Sequence, residues 1–268
     1  MNEASVGHQC PECVAEGRRT QRSARTAFGG TAAGRAGTVT RTLIGINVAA
    51  MILWVIAGGM GAIAGGGWGG LLGSSTPLTQ FGAVLGLSPY VIGGELHGIA
   101  AGEWWRLLTA MFLHYGILHL LLNMWGLWIL GRELEAVLGR IRFVALYVLA
   151  GLGGNVAAYL FAPAYQQTVG ASTAVFGLMA ATFVVLKRLN MSVAPIAPLI
   201  VINVIFTFTA SGISVAGHLG GLVVGALAAG VLAYAPRASR TMWQSVGCGI
   251  ILAVLLAASV VRTLSLTG

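Results

Sequence analysis

Aspartate is missing from this 268-residue chain; its seven acidic residues are all glutamate. A Ser-His-Asp triad is therefore excluded, and no glutamate lies near the apolar stretches that begin around Ser172 and His218. Charge of either sign is scarce, at 8% of residues, whereas a soluble domain carries roughly a quarter. Cysteine is limited to Cys10, Cys13 and Cys248. The Cys10–Cys13 pair supplies two metal ligands and His8 offers a third, but a structural zinc needs four and no fourth is evident. The pair therefore reads as an inert tail feature or half of a zinc ribbon, and no bound metal is expected. An HExxH motif is also lacking, which disfavours a zinc metalloprotease.

What remains is strongly apolar. Apolar residues make up 57% of the chain, glycine contributes 40 residues and mean hydropathy is +0.86. A membrane span needs about 20 such residues, fewer where protein shields it. On that rule the sequence predicts an all-α, polytopic membrane bundle of seven spans, roughly 42–63, 107–130, 143–162, 170–186, 195–210, 214–234 and 243–264. The basic stretch 1–40 lacks the apolar core of a cleaved signal and reads as a cytosolic tail. Segment 64–103 is broken by glycine, Pro77, Pro89, Glu95 and Glu103. It reads as a membrane-associated loop, with Trp68, Trp104 and Trp105 suited to the interface.

Basic residues set the orientation. Arg18, Arg19, Arg22, Arg25, Arg35 and Arg41 precede span one; Arg132, Arg140 and Arg142 follow span two; Lys187 and Arg188 follow span four; Arg237 and Arg240 follow span six. Only Arg106 and Arg262 fall on the other side. The positive-inside rule then predicts a cytoplasmic N-terminus and an extracytoplasmic C-terminus. The net charge of +8 reads as topology and contact with anionic lipid rather than nucleic acid.

With that topology, spans two, four and six enter from the outer face. His114, His119 and Asn123 on span two, Ser172 on span four and His218 on span six reach one level. Polar side chains inside a membrane are costly and mark functional sites by default. Taken singly, each has a bland reading: a membrane serine usually bonds its own backbone, a histidine packs or relays protons, and His114 and Arg106 anchor a helix end. Taken together they form a nucleophile, a base and spare donors. Ser172 opens a helix, where free N–H groups favour an oxyanion. His119 and Asn123, four residues apart, share a face and offer further donors. With no aspartate, the pair would work as a Ser-His dyad, its imidazole oriented by packing. Small residues at Gly217, Gly221, Gly225 and Ala229, and at Gly170, Ala174, Gly177 and Ala181, predict close approach of spans four and six. Span five, with Pro195 and Pro198 followed by the β-branched and aromatic run from Ile200 to Phe208, lacks such a stripe and is expected to pack loosely as a lateral gate.

Around residues 100–235 the chain resembles the rhomboid intramembrane serine proteases. The resemblance rests on Trp105-Arg106, on His114 with His119-xxx-Asn123, and on Gly131-Arg132-Glu133-Leu134-Glu135. It extends to the Gly170-Ala171-Ser172 block and to His218-xx-Gly221-xxx-Gly225. It implies Ser172 as nucleophile, His218 as general base, His119 and Asn123 as oxyanion donors, and Phe176 as the aromatic packed on the histidine. Thr173 replaces the usual glycine after the nucleophile and adds bulk beside the oxyanion site; Gly217 replaces the usual alanine. The resemblance further implies a six-helix catalytic core over 41–235, an added C-terminal helix over 236–268 and no cofactor. Its partners would be transmembrane protein substrates and the lipid bilayer, and its location a bacterial plasma membrane. Cys10–Cys13 looks like the end of a zinc-ribbon-like segment found in some bacterial members, which places the natural start upstream. Two rivals stand beside the protease: an inactive rhomboid-like protein that binds transmembrane helices, and a transporter, for which the inverted repeats and paired interior charges are lacking.

Overall fold

The computed structural model describes residues 2–3, 8–20, 25–31, 37–59, 75–92, 95–210 and 212–268. Trp68, Arg22, Arg35 and residues 64–74 and 93–94 of the broken loop lie outside them. Among the described residues the regular structure is helical apart from two-residue strand pairs such as Val91–Ile92 with Glu95–Leu96, and isolated bridges such as Val84 with Thr168. The helices are α1 (Pro11–Thr20), α2 (Thr38–Gly58), α3 (Pro77–Gly82), α4 (Arg106–Thr109), α5 (Gly116–Leu138), α6 (Arg140–Phe161), α7 (Ser172–Arg188), α8 (Ala197–Thr209), α9 (Val215–Tyr234) and α10 (Arg240–Thr267). Helices α2, α6, α9 and α10, the last with the 3-10 turn before it, are long and apolar enough to cross a membrane. The protein is thus a multi-pass membrane protein with a helical-bundle fold.

The second expected span, 107–130, is not one rod. Residues Arg106–Phe112 and α5 meet at a 91° bend. Leu113 turns extended and Gly116 takes φ +78, a conformation a side chain rarely adopts. The Tyr115 N–H, exposed by the break, finds the Nδ1 of His119, 3.3 Å away. At its other end α5 outruns the prediction by two turns, so Gly131–Glu135 lies within the helix rather than after it. Glu135 is 0% exposed because its carboxyl oxygens accept from the Val39 and Thr40 N–H groups and the Thr40 hydroxyl, each at 2.9 Å. The glutamate caps the N-terminus of α2, satisfying donors a helix start leaves open.

Helices α7 (17 residues) and α8 (13 residues) rise only about 25 and 20 Å, short of a hydrocarbon core about 30 Å thick. Lys187 and Arg188 close α7 at the end away from Ser172. Around it α6, α7 and α9 pack backbone to backbone. A Cβ on Gly225 would land on the backbone of Gly177, and one on Gly221 on the carbonyl of Thr173. Helix α6 brings its own small residues: Gly154 faces Thr173 and the Gly217 carbonyl, while Gly220 faces Ala157 and Gly153. The stripes on α7 and α9 were legible in sequence; the matching face of α6 was missed because its glycines, 151, 153 and 154, follow no four-residue spacing.

Helix α10 is tied to this core by a Tyr159–Thr263 hydroxyl contact of 2.8 Å and by Gln244, whose side-chain amide donates to the Leu232 carbonyl at 2.7 Å and to that of Phe28 at 3.3 Å. Part of the expected tail is therefore docked: Phe28 is only 3% exposed.

The close approach makes a sharp contrast between glycines of one helix. Gly225→Val should cost about 1–3 kcal/mol by overpacking, whereas Gly230→Ala, with open space around its Cβ, should be neutral or slightly stabilising. Thermal unfolding in detergent measures both; equal effects would contradict the packing.

Candidate active site

Three helix starts converge. Ser172 is the first residue of α7; Ala171 caps that helix without a side-chain bond. The N–H groups of its first turn, that of Ser172 included, have no intrahelical acceptor. The chain enters through Gly170, whose φ of +132 allows the sharp approach. His218 lies one turn into α9, whose start is capped by Ser214 accepting from the Gly217 N–H at 3.2 Å. The result is a 2.8 Å contact between Ser172 Oγ and His218 Nε2. Forty-six positions apart in sequence, the two are brought together by the glycine contacts of α7 and α9.

The imidazole is held on two further sides. Phe176, one turn after Ser172, stacks on it with centroids 4.0 Å apart and planes at 20°. On the far edge, His218 Nδ1 lies 2.9 Å from the hydroxyl of Thr207 on α8, which in turn donates to the Asn203 carbonyl at 2.8 Å. Besides the packing expected in place of a carboxylate, a neutral hydroxyl meets the ring. Sequence reading missed Thr207. Its signal was an Asn203–Thr207 pair at helical spacing inside an otherwise apolar segment, which by itself indicates only a back-bonded hydroxyl.

His119 is oriented by the Tyr115 N–H on Nδ1, which leaves Nε2 as the protonated nitrogen of a neutral ring. That nitrogen faces the approach to Ser172: a Cβ added to Gly170 would lie 2.8 Å from His119 Nε2 and 3.3 Å from Ser172 Oγ. Asn123 is buried one turn along and spends one amide hydrogen on the His119 carbonyl at 2.9 Å, leaving a second. His114 sits in the break rather than within a span. Its Nε2 receives the Ala171 N–H at 3.4 Å, and its ring meets His119 edge-on at 5.0 Å. It therefore positions the loop before the serine. Thr173 lies where α6, α7 and α9 meet. Its side chain is buried against Gly154 and Gly217, with its hydroxyl unpartnered. Cys10 and Cys13 lie at the start of α1 with sulfurs 3.1 Å apart; the side chain of His8 is outside the described residues.

A braced loop holds the segment that leads to Ser172. Gly170 donates to the Ala110 carbonyl at 2.9 Å, and Thr168 pairs with Val84 through two backbone bonds. Arg106, 2% exposed, donates to the carbonyls of Gln80 and Ala83 and to Glu103 at 2.6–3.1 Å. Glu103 also accepts from the Gly98 N–H at 2.6 Å and contacts His97 Nδ1 at 2.9 Å. Burial opposes ionisation of Glu103, but these bonds outweigh it and hold its carboxyl below the usual glutamate range.

Fold and site together define a polytopic helical membrane protein in which a partly covered serine is hydrogen-bonded to a buried histidine. Residues 101–235, half of the chain, match the rhomboid domain model. The chain belongs to the rhomboid family. It is 42% identical over 139 residues to the rhomboid protease GluP of Bacillus subtilis (strain 168), a match covering 50% of this chain and 27% of GluP. YdcA of the same bacterium is 38% identical over 135 residues, 48% of this chain and 68% of YdcA. RHOMBOID-like protein 6, mitochondrial, of Arabidopsis thaliana is 45% identical over 83 residues, 31% of this chain and 27% of that protein. The chain therefore spans only about a quarter of GluP's length.

A depressed carboxyl stabilises the fold above its unfolded pKa, and that stability is lost as pH falls through the folded value. The loop should loosen as pH drops below about 4, the unfolded glutamate range. Glu103→Gln should flatten that part of a melting-temperature profile measured against pH. An unchanged acid limb in the variant would place the sensitivity elsewhere.

Proposed function

We propose that the chain is an intramembrane serine protease that cleaves transmembrane protein substrates near their extracytoplasmic ends by a Ser172–His218 dyad. The observation that carries this reading is the 2.8 Å Ser172–His218 contact at an uncapped helix start. His218 Nε2 takes the hydroxyl proton as Ser172 Oγ attacks the scissile carbonyl, and then gives it to the departing amine. The acyl-enzyme ester is hydrolysed by water activated at the same nitrogen. Negative charge on the tetrahedral oxygen is met by the Ser172 N–H, by His119 Nε2–H and by the spare amide hydrogen of Asn123. Phe176 keeps the ring in plane for both transfers.

The membrane is the plasma membrane of a bacterium, crossed with the N-terminus in the cytoplasm and the C-terminus outside. The clustering of arginine supports that orientation, and it places Ser172 and His218 in the outer half. The core is taken as 41–235, with 236–268 an added helix and 1–40 a basic tail. A peptide bond inside a membrane helix is shielded by its own hydrogen bonds, so the substrate must unwind beside the site. Helix α8, lined with exposed Val201, Ile202, Ile205 and Phe208, is the side on which it enters.

Ser172→Ala and His218→Ala should each abolish both cleavage of a transmembrane substrate and labelling by a fluorophosphonate. The double variant should be no worse than either, because the two act as a unit. Losses that multiply would show that they are not partners. A parent protein that neither cleaves nor labels would leave the inactive, helix-binding reading in its place.

Replacing His119 or Asn123 with alanine should lower kcat by up to about 10²–10³ with little change in KM, since the oxyanion exists only after attack. A variant that loses substrate affinity alone would remove that residue from the oxyanion site.

A further inference from the structure

The proton count around His218 decides which nitrogen can act. A threonine hydroxyl has a single proton, and that of Thr207 goes to the Asn203 carbonyl, 2.8 Å away. What Thr207 Oγ1 turns toward His218 Nδ1 at 2.9 Å is therefore a lone pair, so the ring nitrogen is the donor. A neutral imidazole that is protonated on Nδ1 carries its free lone pair on Nε2. Nε2 is the atom 2.8 Å from Ser172 Oγ. The other tautomer would point an N–H at the serine and could not take its proton.

Building on the dyad reading, we infer that Thr207 is a positioning residue for the reaction: its hydroxyl holds His218 in the tautomer whose Nε2 is a base. It takes the place of the carboxylate that this aspartate-free chain does not have. The acceptor is neutral, so it orients the ring without adding a buried charge that the membrane interior would penalise. When Ser172 gives up its proton, the Nδ1–H bond to Thr207 remains in place and the ring need not reorient.

The position of Thr207 gives the contact a second consequence. It is 1% exposed, and it is the one buried residue of α8, whose other side chains are exposed or only partly covered. Displacing α8 by more than about 1 Å would stretch the 2.9 Å contact beyond hydrogen-bond range. The seating of this helix and the tautomer of the base are thereby linked through one hydroxyl.

The test compares Thr207→Val, which keeps the shape and removes the acceptor, with Thr207→Ser, which keeps the hydroxyl, both in the full chain in detergent. Thr207→Val should lower kcat on a transmembrane substrate by about ten- to a hundredfold and leave KM unchanged. The fluorophosphonate labelling rate should fall in parallel, since that small water-borne probe does not need α8 to open. Thr207→Ser should restore both rates. If Thr207→Val unfolds, Thr207→Cys, similar in shape with a poor acceptor, must show the same slowing. The inference is overturned if a folded variant lacking the hydroxyl labels as fast as the parent, or if Thr207→Ser is as slow as Thr207→Val. It is overturned too if only transmembrane cleavage suffers, which would make Thr207 part of the entry path. An active parent with an equally active Thr207→Val ends this inference alone; an inert parent ends the protease reading with it.

Discussion

The backbone contact between α7 and α9 is the constraint from which the rest follows. Gly177 against Gly225, and Gly221 against the Thr173 carbonyl, set an interhelix distance that a single methyl group would enlarge. Inside a membrane this approach has little hydrophobic driving force, because lipid is as apolar as leucine. Close van der Waals packing of small residues provides the attraction instead. Ser172 and His218 stand on the first turns of these same helices, so their 2.8 Å contact is set by the glycines below it. Helix α6 completes the arrangement by accepting the other face of α9 on Gly153, Gly154 and Ala157.

The charged groups buried in this apolar setting are satisfied by specific geometries, although the Thr173 hydroxyl is left without a partner. Glu135 is buried because it meets a helix start with open N–H groups. Arg106 is buried because two carbonyls and Glu103 surround its guanidinium. His119 loses hydration but gains the Tyr115 N–H where the chain breaks. Breaks in helical regularity expose donors: Glu135 meets those of α2 from a distant position, His119 meets the Tyr115 N–H from one turn away, and the start of α7 keeps its donors open. A functional membrane site is built most readily where backbone donors are already left over.

Absence of aspartate shapes the chemistry more than any single residue present. A carboxylate behind the histidine would place a second charge in the bundle and demand further donors to solvate it. The ring is instead stacked on Phe176 and met at its far edge by a hydroxyl from α8, which buries only that one residue. A site of this kind is inexpensive to bury and sensitive to the seating of α8.

The sequence by itself determined the membrane class and the helical bundle, and it singled out polar residues that the structure brings together. The reason is physical: apolar runs of span length, arginine asymmetry and four-residue glycine spacing are local patterns, and each has a single dominant cause. Ser172, His218, His119 and Asn123 stood out as polar residues in segments that should contain few, and the rhomboid resemblance added Phe176. Only the tertiary structure decided what those residues touch. It broke the second expected span at Gly116, extended α5 so that Glu135 could cap α2, docked Phe28 under α10 and turned Thr173 into the helix junction. It also supplied Thr207, eleven positions from His218 and invisible as a partner until α8 and α9 were placed side by side. Such contacts depend on distances between segments, which periodicity does not encode.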